Sequence, residues 1–143
     1  MWYVSGTGWS VERGQPRHAY HIKYAESPDG IRWTRTGTVC IDYASPAEYA
    51  ISRPTVIHDG TIYRMWFSAR GEAYALGYAE SRDGISWERD DRRAGLERSP
   101  DGWDSDMIAY PFVFTRGTTL SMLYNGNGYG RSGFGYAAWQ ADD

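Results

Sequence analysis

The sequence is poor in several features that would indicate particular classes of protein. It contains one cysteine, Cys40, which excludes an internal disulfide and a cysteine-rich metal site. We expect Cys40 to be a small apolar residue near a strand. No basic block is present that would follow a phosphate backbone, and 15 Lys and Arg against 18 Asp and Glu give a net charge of −3. The composition therefore argues against nucleic acid as a partner.

Long apolar runs and helical periodicity are also missing. The longest apolar run is far shorter than the roughly 20 residues that a membrane-spanning helix needs, and no charged-then-apolar leader opens the sequence. The sequence thus predicts a soluble protein without a membrane partner, assigned to the cytoplasm by default. Its histidines, His18, His21 and His58, lack metal-ligand spacing, so neither a metal nor another cofactor is predicted.

Aromatic residues and internal repeats, in contrast, are abundant. Hydrophobic residues make up 41% and aromatic residues 16% of the 143 residues, which is enough for one packed domain. The segment YAESPDGIRW at Tyr24 returns as YAESRDGISW at Tyr78, and the related YAAWQAD begins at Tyr136. Such repetition at a fixed period indicates a repeat architecture.

Two further series of segments precede these in a fixed order. The first consists of MWYVSG at Met1, MWFSAR at Met65 and MLYNGN at Met122. The second consists of RPTVIHDGTIY at Arg53 and YPFVFTRGTTL at Tyr110. Each unit therefore runs from a Pro-Val segment through the Met-aromatic and Tyr-Ala segments to a DG turn and a Trp.

Each repeated segment has the character of a short β-strand. Asp59-Gly60 lies between two β-favouring runs and predicts a hairpin. In IYRMWFS, residues 62–68, both alternating faces are substantially apolar, which predicts a sheet covered on both sides. Units of roughly 55 residues with four short antiparallel strands suit stacked propeller blades, whose faces pack on their neighbours. The sequence therefore predicts an all-β fold of four-stranded propeller blades.

The order of the segments divides residues 1–143 into three blades of a single partial propeller. Blade one, about 1–40, lacks its first strand; blade two, about 50–92, is complete; blade three, about 104–140, lacks its last strand. Because a propeller needs at least four blades to close, the ring is predicted to be incomplete. We expect a C-terminal portion of a longer protein, the alternative being two chains that complete one another. Open blade edges make self-association an expected property in either case.

The doubled DG motif is expected to be structural. Asp29 or Asp83 can accept backbone N–H bonds in the turn, and Trp33 or Trp87 can fill the space between blades. The motif resembles the Asp-box hairpin of sialidase-like propellers, although its spacing departs from the full consensus. Since such boxes lie at the blade periphery, a catalytic role for these aspartates is disfavoured.

The larger units resemble a known superfamily. SRPTVIHDGTIYRMWFSARG…YALGYAESRDGISWER and WDSDMIAYPFVF…LSMLYNGNGYGRSGFGYA are similar to the five-bladed propeller glycoside hydrolases, which include arabinanases, xylosidases, invertases, levansucrases and mannoside phosphorylases. The similarity covers almost the whole chain and extends to uncharacterised bacterial members. It implies a funnel-shaped carbohydrate site at the ring axis, lined by the first strand of each blade and the loops before it.

Within that resemblance, three carboxylates are candidates for catalysis. Glycoside hydrolysis normally uses one protonated and one ionised carboxyl group on either side of the scissile bond. The resembled families supply these from different blades, usually with Asp as base and Glu as acid, so Glu48 matches the general acid. Asp104 or Asp106 would be a second carboxylate that orients Glu48, tunes its pKa or holds a sugar hydroxyl. The base has no counterpart in this chain, and the plainer alternatives are a Glu48–Arg53 ion pair and turn contacts for the aspartates.

Five further residues are candidates for substrate binding: Arg53, Trp103, Tyr110, Asn125 and Asn127. An inner-strand Arg53 can hold a carboxylate or a phosphate, and Trp103 and Tyr110 are possible stacking platforms. The asparagines lie in NGNGYG, residues 125–130, which offers amide donors at a pocket rim. A phosphate cradle is disfavoured there, because the Lys and the following helix of that motif are missing.

Three functions remain open from the sequence. The first is a glycoside hydrolase that acts by acid–base catalysis in the complete propeller. The second is a phosphorylase, in which basic residues such as Arg53, Arg70 or Arg131 gather at the axis. The third is a catalytically silent carbohydrate-binding or assembly propeller, which needs aromatic platforms but no opposed carboxylates.

Overall fold

The computed structural model describes residues 1–140. The repeated segments in this part of the chain form β-strands and the turns between them. The strands are β1 Trp2–Glu12, β2 Gln15–Tyr24, β3 Val39–Ile41, β4 Ala50–His58, β5 Tyr63–Arg70, β6 Tyr74–Ser81, β7 Glu88–Arg89, β8 Ala109–Arg116, β9 Thr119–Asn125 and β10 Phe134–Gln140. A 3₁₀ turn spans Asp91–Arg93, and a short turn, α1, spans Asn127–Gly130; within α1, Gly128 and Tyr129 have left-handed φ angles of 62° and 61°. Residues 141–143, which include the end of the YAAWQAD segment, lie outside the described residues.

Four consecutive strands make the central antiparallel sheet. β4, β5, β6 and β7 pair in chain order, and Asp59 and Gly60 lie in the predicted hairpin between β4 and β5. β1, β2 and β3 form an antiparallel group that joins β4 through one parallel pair, Tyr20 with Ala50. β8, β9 and β10 form a separate three-stranded antiparallel sheet. The predicted all-β architecture of antiparallel blades is therefore confirmed.

β5 shows why neighbouring sheets must stack on the central one. Met65 and Phe67 point into a core shared with Ile22 and Ile51, and both side chains are fully buried. Trp66 points the opposite way into a second core with Met122. Burying such side chains stabilises the fold by roughly 1.5–3 kcal/mol each. The prediction of a sheet covered on both faces is confirmed.

The second copy of the DG turn packs against Trp2 of β1, while the first copy is exposed. The indole of Trp2 donates a hydrogen bond to the Gly84 carbonyl (2.8 Å) and packs edge-on against Trp87 (5.8 Å between ring centroids). In the first copy, Trp33 is 41% and Ile31 is 83% exposed, since no sheet within residues 1–140 lies over them. Trp87 thus packs between the β1–β3 group and the β4–β7 strands, whereas Trp33 is exposed.

We expect Asp83→Ala to lower the unfolding temperature more than Asp29→Ala does. In both turns the carboxylate accepts two backbone N–H bonds, those of Ser86 and Ile85 in the case of Asp83. Only the Asp83 turn also supports the packed Trp2. Thermal unfolding of the two variants at pH 7 checks this, and equal effects would contradict it.

The same contacts give the Asp83 effect a defined pH dependence. The backbone N–H bonds from Ser86 and Ile85 hold the pKa of Asp83 at about 2, below its ordinary value of 3.8. A carboxylate with a lowered pKa in the folded state stabilises the fold above its unfolded pKa and loses this contribution as the pH falls through its folded pKa. The gap between wild type and Asp83→Ala should therefore narrow between about pH 4 and pH 2.

Cys40 is a buried residue of β3. Burial raises the pKa of Cys40 to about 11, so the thiol stays protonated at neutral pH and packs as a small apolar group.

No helix within the described part of the chain is long and apolar enough to cross a membrane. Phe134 and Tyr136 leave one face of β10 exposed (70% and 59%), and self-association through such a face stays a prediction.

Candidate functional site

The loops with the predicted site residues meet at one end of the strands. The loop before β4 joins the β5–β6 turn, because the Tyr49 N–H donates to the Arg70 carbonyl (3.0 Å). The loop before β8 joins the same region through a bond from the Ile108 N–H to the Tyr74 carbonyl (3.2 Å). Since β4 and β8 both start here, the Asp29 and Asp83 turns fall at the opposite end.

Arg53 on β4 and Tyr110 on β8, which the sequence repeats align with each other, have an unusual backbone conformation. Arg53 and Tyr110 have φ angles of 55° and 59°, in the left-handed region that non-glycine residues seldom adopt. Each lies in a β-bulge directly before a proline, Pro54 or Pro111, which has no N–H to give to the ladder. A left-handed conformation costs roughly 1–2 kcal/mol at such residues. The same conformation therefore recurs on the first strand of the β4–β7 sheet and on the first strand of the β8–β10 sheet.

The Tyr110 bulge is held by polar contacts between sheets. The Tyr110 N–H donates to the hydroxyl of Ser68 (2.7 Å), a fully buried residue of β5. The Thr55 hydroxyl donates to the Pro111 carbonyl (2.7 Å). These bonds satisfy backbone groups that the bulge takes out of the strand ladder, and they fix the direction in which Tyr110 points.

The bulges bring arginine and tyrosine side chains together. The Arg53 guanidinium lies 5.0 Å from the Tyr110 ring centroid, and Tyr110 stacks on Tyr129 at 6.0 Å. Tyr74 lies 5.9 Å from each of these tyrosines. Arg70 donates a hydrogen bond to the Tyr129 hydroxyl (2.9 Å) and lies over Tyr74 at 5.1 Å. We call these five residues the Arg–Tyr cluster.

The Arg–Tyr cluster carries the positive charge of its two arginines and contains no acidic side chain. Within residues 1–140, neither Arg53 nor Arg70 forms a salt bridge with a carboxylate. The buried Nε of Arg70 has no hydrogen-bond partner among the described residues. Burial raises the pKa of Tyr74 and of Tyr110, so both phenols stay neutral. The cluster therefore offers cationic donors, phenolic hydroxyls and aromatic faces to a ligand.

Glu48, the predicted general acid, is engaged elsewhere. Its carboxylate accepts two hydrogen bonds from Arg89 (2.7 and 2.9 Å) and one from the Ala44 N–H (2.8 Å). Arg89 also holds Asp91, and the Glu48 and Arg89 side chains are only 16% and 15% exposed. Glu48 thus pairs with Arg89 rather than with Arg53, and it braces the loop before β4 against β7. Its catalytic role stays a prediction that these contacts do not support.

Trp103 and Asp104 pack against the third sheet. The Trp103 ring lies on Tyr124 (5.5 Å between centroids) and close above Gly126. The carboxylate of Asp104, a 4% exposed residue, accepts a hydrogen bond from the Tyr124 hydroxyl (3.2 Å). The partners of Glu48 and Asp104 therefore lie on different sheets. Trp103 has a packing contact on one face. The substrate-binding role of Trp103 and the catalytic role of Asp104 remain predictions.

The two asparagines brace the loops that carry Asp106 and Tyr129. The Asn127 side-chain oxygen accepts bonds from the N–H groups of Asp106 (2.8 Å) and Met107 (3.1 Å). The Asn125 side chain donates to the Tyr129 carbonyl (3.2 Å). The Asp106 carboxylate is exposed and has no hydrogen-bond partner in the described structure. Of the three predicted acids, Asp106 alone presents an unengaged carboxylate.

Sequence reasoning found part of the cluster and missed the rest. Arg53 and Tyr110 were predicted, and the structure brings them together. Tyr74 and Tyr129 were not singled out, and Arg70 was named only for a phosphorylase. The position of Arg70 and Tyr74 in the sequence could have indicated them, because they flank the β5–β6 turn at the end of the strands where the loops meet. No group of three or more His, Cys, Asp or Glu side chains suited to a metal occurs in residues 1–140.

Comparisons with known proteins support the fold and leave the activity open. No family model matches the sequence. Two curated relatives, both uncharacterized proteins of Mycobacterium tuberculosis (strains CDC 1551 / Oshkosh and H37Rv), are 45% identical over 137 residues. The match covers 96% of this chain and 45% of each relative, so the chain spans less than half of their length.

Two solved structures share the fold at low sequence identity. One is described as a glycoside hydrolase, with a TM-score of 0.68, 16% identity and coverage of 99% of this chain and 40% of that chain. The other is a mutant of the Bombyx mori GH32 β-fructofuranosidase BmSUC1 in complex with sucrose, with a TM-score of 0.65, 16% identity and coverage of 99% and 31%. The chain therefore has the fold of part of a glycoside-hydrolase-type β-propeller.

Proposed function

We propose that the Arg–Tyr cluster is the carbohydrate-binding surface of this chain, within a propeller of five blades. The observation that supports it most is the pair of aligned left-handed bulges that place Arg53 against the Tyr110 ring. Strain of this kind persists where a side chain must point in a particular direction. A structure of the same fold holds sucrose, which makes a sugar the natural ligand class to test.

The chemistry of the cluster suits a sugar ring. The Tyr110 and Tyr129 faces can pack against the C–H faces of the ring, while Arg53 and Arg70 donate hydrogen bonds to its hydroxyl oxygens. Asp106, the unengaged carboxylate at this end, can accept a hydroxyl hydrogen bond. Together, these contacts would bind and orient a sugar ring.

Hydrolysis in the complete protein would need two carboxyl groups at the scissile bond. We propose that Asp106 supplies one of them and that the other comes from the part of the propeller outside this chain. The isolated chain would then bind sugar without turning it over. Glu48 would support this site indirectly, through Arg89 and the loop before β4.

A phosphorylase is the second candidate, because Arg53 and Arg70 have no carboxylate partner in residues 1–140. Two such guanidinium groups at one site suit an oxyanion. Arg131, the third predicted basic residue, is exposed next to α1. Assays of the full-length protein on aryl glycosides with and without inorganic phosphate separate the two. Turnover that depends on phosphate identifies phosphorolysis, and turnover in its absence identifies hydrolysis.

Tyr110→Ala is expected to weaken sugar binding about tenfold, because it removes the stacking face and the partner of Arg53. Isothermal titration with mono- and disaccharides of arabinose, xylose, fructose and mannose measures the effect. Arg53→Lys should weaken the same interaction, since an ammonium group lacks the planar fork.

Arg116→Lys is the matched control for these variants, because Arg116 is exposed at the far end of β8. It should bind like wild type. The proposal fails if wild type binds none of the sugars, or if Tyr110→Ala binds them as tightly as wild type does.

A further inference from the structure

A line of aromatic rings extends from the Arg–Tyr cluster onto a protruding hairpin. The outer halves of β1 and β2 form an arm in which Trp9 is 77% exposed. Trp9 packs edge-on against His18 (5.3 Å between centroids), and His18 stacks on Tyr20 (4.9 Å). The Tyr20 hydroxyl shares a hydrogen bond with that of Tyr74 (2.8 Å), which belongs to the cluster. Trp9, His18 and Tyr20 are therefore linked to the cluster through the Tyr20–Tyr74 hydrogen bond, at a tyrosine that is itself only 3% exposed.

The space beside these rings is open. A β-bulge separates Gly6 from Gly8, and a Cβ at either glycine would meet no atom within 4 Å. A cleft of about 560 Å³ lies here, lined by Gly6, Gly8, Trp9, His18, Ala19 and Tyr20. The lining contains no Asp, Glu, Lys or Arg side chain, so the cleft combines aromatic faces with a few polar edges.

We propose that Trp9, His18 and Tyr20, here called the arm platform, bind further units of an oligosaccharide whose end is held by the Arg–Tyr cluster. This inference rests on the proposed function. A glycan is the occupant that the geometry favours, because Tyr20 of the platform is hydrogen-bonded to Tyr74 of the cluster and because sugar rings pair apolar faces with polar edges. The site would accordingly select a chain of sugars over a single one.

The test is the dependence of affinity on chain length. Wild-type protein is titrated with unbranched arabino-, xylo-, inulo- and manno-oligosaccharides of one to six units. For the series that binds, we expect affinity to rise about tenfold between the disaccharide and the tetrasaccharide. Trp9→Ala should abolish this rise while it leaves mono- and disaccharide affinity within about twofold of wild type. Trp9→Phe should restore part of the rise, because a smaller stacking face remains.

Controls separate the possible outcomes. Ile31→Ala removes an equally exposed apolar side chain at the opposite end and should behave like wild type. If short and long chains bind wild type equally, or if Trp9→Ala weakens both equally, the arm platform is overturned while the proposed function stands. If no sugar of any length binds, both fail. If sedimentation shows that Trp9→Ala only dissociates an oligomer, the arm is a protein contact and the inference is wrong.

Discussion

Glu48→Gln is expected to lower the free energy of unfolding by about 2 kcal/mol. The Glu48 carboxylate neutralises Arg89, which is itself only 15% exposed, and the substitution leaves Arg89 with Asp91 as its remaining anionic partner. The amide would also place an NH₂ group near the guanidinium. The loss falls below the range for a fully buried pair, because Asp91 still neutralises part of the charge. Denaturant unfolding of the variant at neutral pH measures it.

Glu88→Gln is the control for this experiment. Glu88 precedes Arg89 on β7 and is exposed, so its substitution should change stability by no more than about 0.5 kcal/mol. The result also tests the bracing role of Glu48. An unchanged unfolding free energy of Glu48→Gln would contradict that role.

The elements of the fold were predictable because their signals are local. The Asp59-Gly60 hairpin, the apolar pattern on both faces of β5 and the carboxylate contacts of Asp83 all depend on residues within a few positions of one another. Repetition then extended one unit to the next. The exposure of Trp33 departed from the pattern, because covering that side chain requires a neighbouring sheet that residues 1–140 do not contain.

The partners of the site residues were not predictable in the same way. Glu48 binds Arg89, 41 positions away on an outer strand, and nothing near either residue indicates that pairing. The left-handed φ of Arg53 and Tyr110 is equally hidden, since a sequence normally signals such angles with glycine. A proline after both residues was the available sign of an interrupted ladder. The sequence repeats aligned Arg53 with Tyr110 without indicating the bulges, and in the structure the Arg53 guanidinium lies 5.0 Å from the Tyr110 ring centroid.

Asn125 and Asn127 show the same limit in a second form. Their amides were predicted to face a ligand. In the structure, Asn127 ties the segment after β9 to the loop before β8, and Asn125 bonds to the Tyr129 carbonyl within its own segment. An amide suits either task, because it offers both donors and acceptors. Only the folded arrangement shows which groups are nearest.

Gly126→Ala is expected to destabilise the protein by about 3 kcal/mol, at the upper end of the range for overpacking. Gly126 is buried, and a Cβ there would lie 2.5 Å from a ring carbon of Trp103 and 2.6 Å from its carbonyl oxygen. The ring can turn away, but the carbonyl belongs to the backbone and accepts the Asn127 N–H (2.8 Å). Relief of the clash must therefore separate the two loops.

Gly6→Ala provides the comparison, because a Cβ at Gly6 meets no atom within 4 Å and no loop contact depends on it. Its unfolding free energy should stay within about 0.5 kcal/mol of wild type. Since the displaced loops carry Asp106 and Tyr129, Gly126→Ala should also weaken sugar binding at temperatures where the protein remains folded. Equal stability of the two glycine variants would show that Trp103 does not pack on Gly126, and the bracing of the Arg–Tyr cluster by this loop would then be wrong.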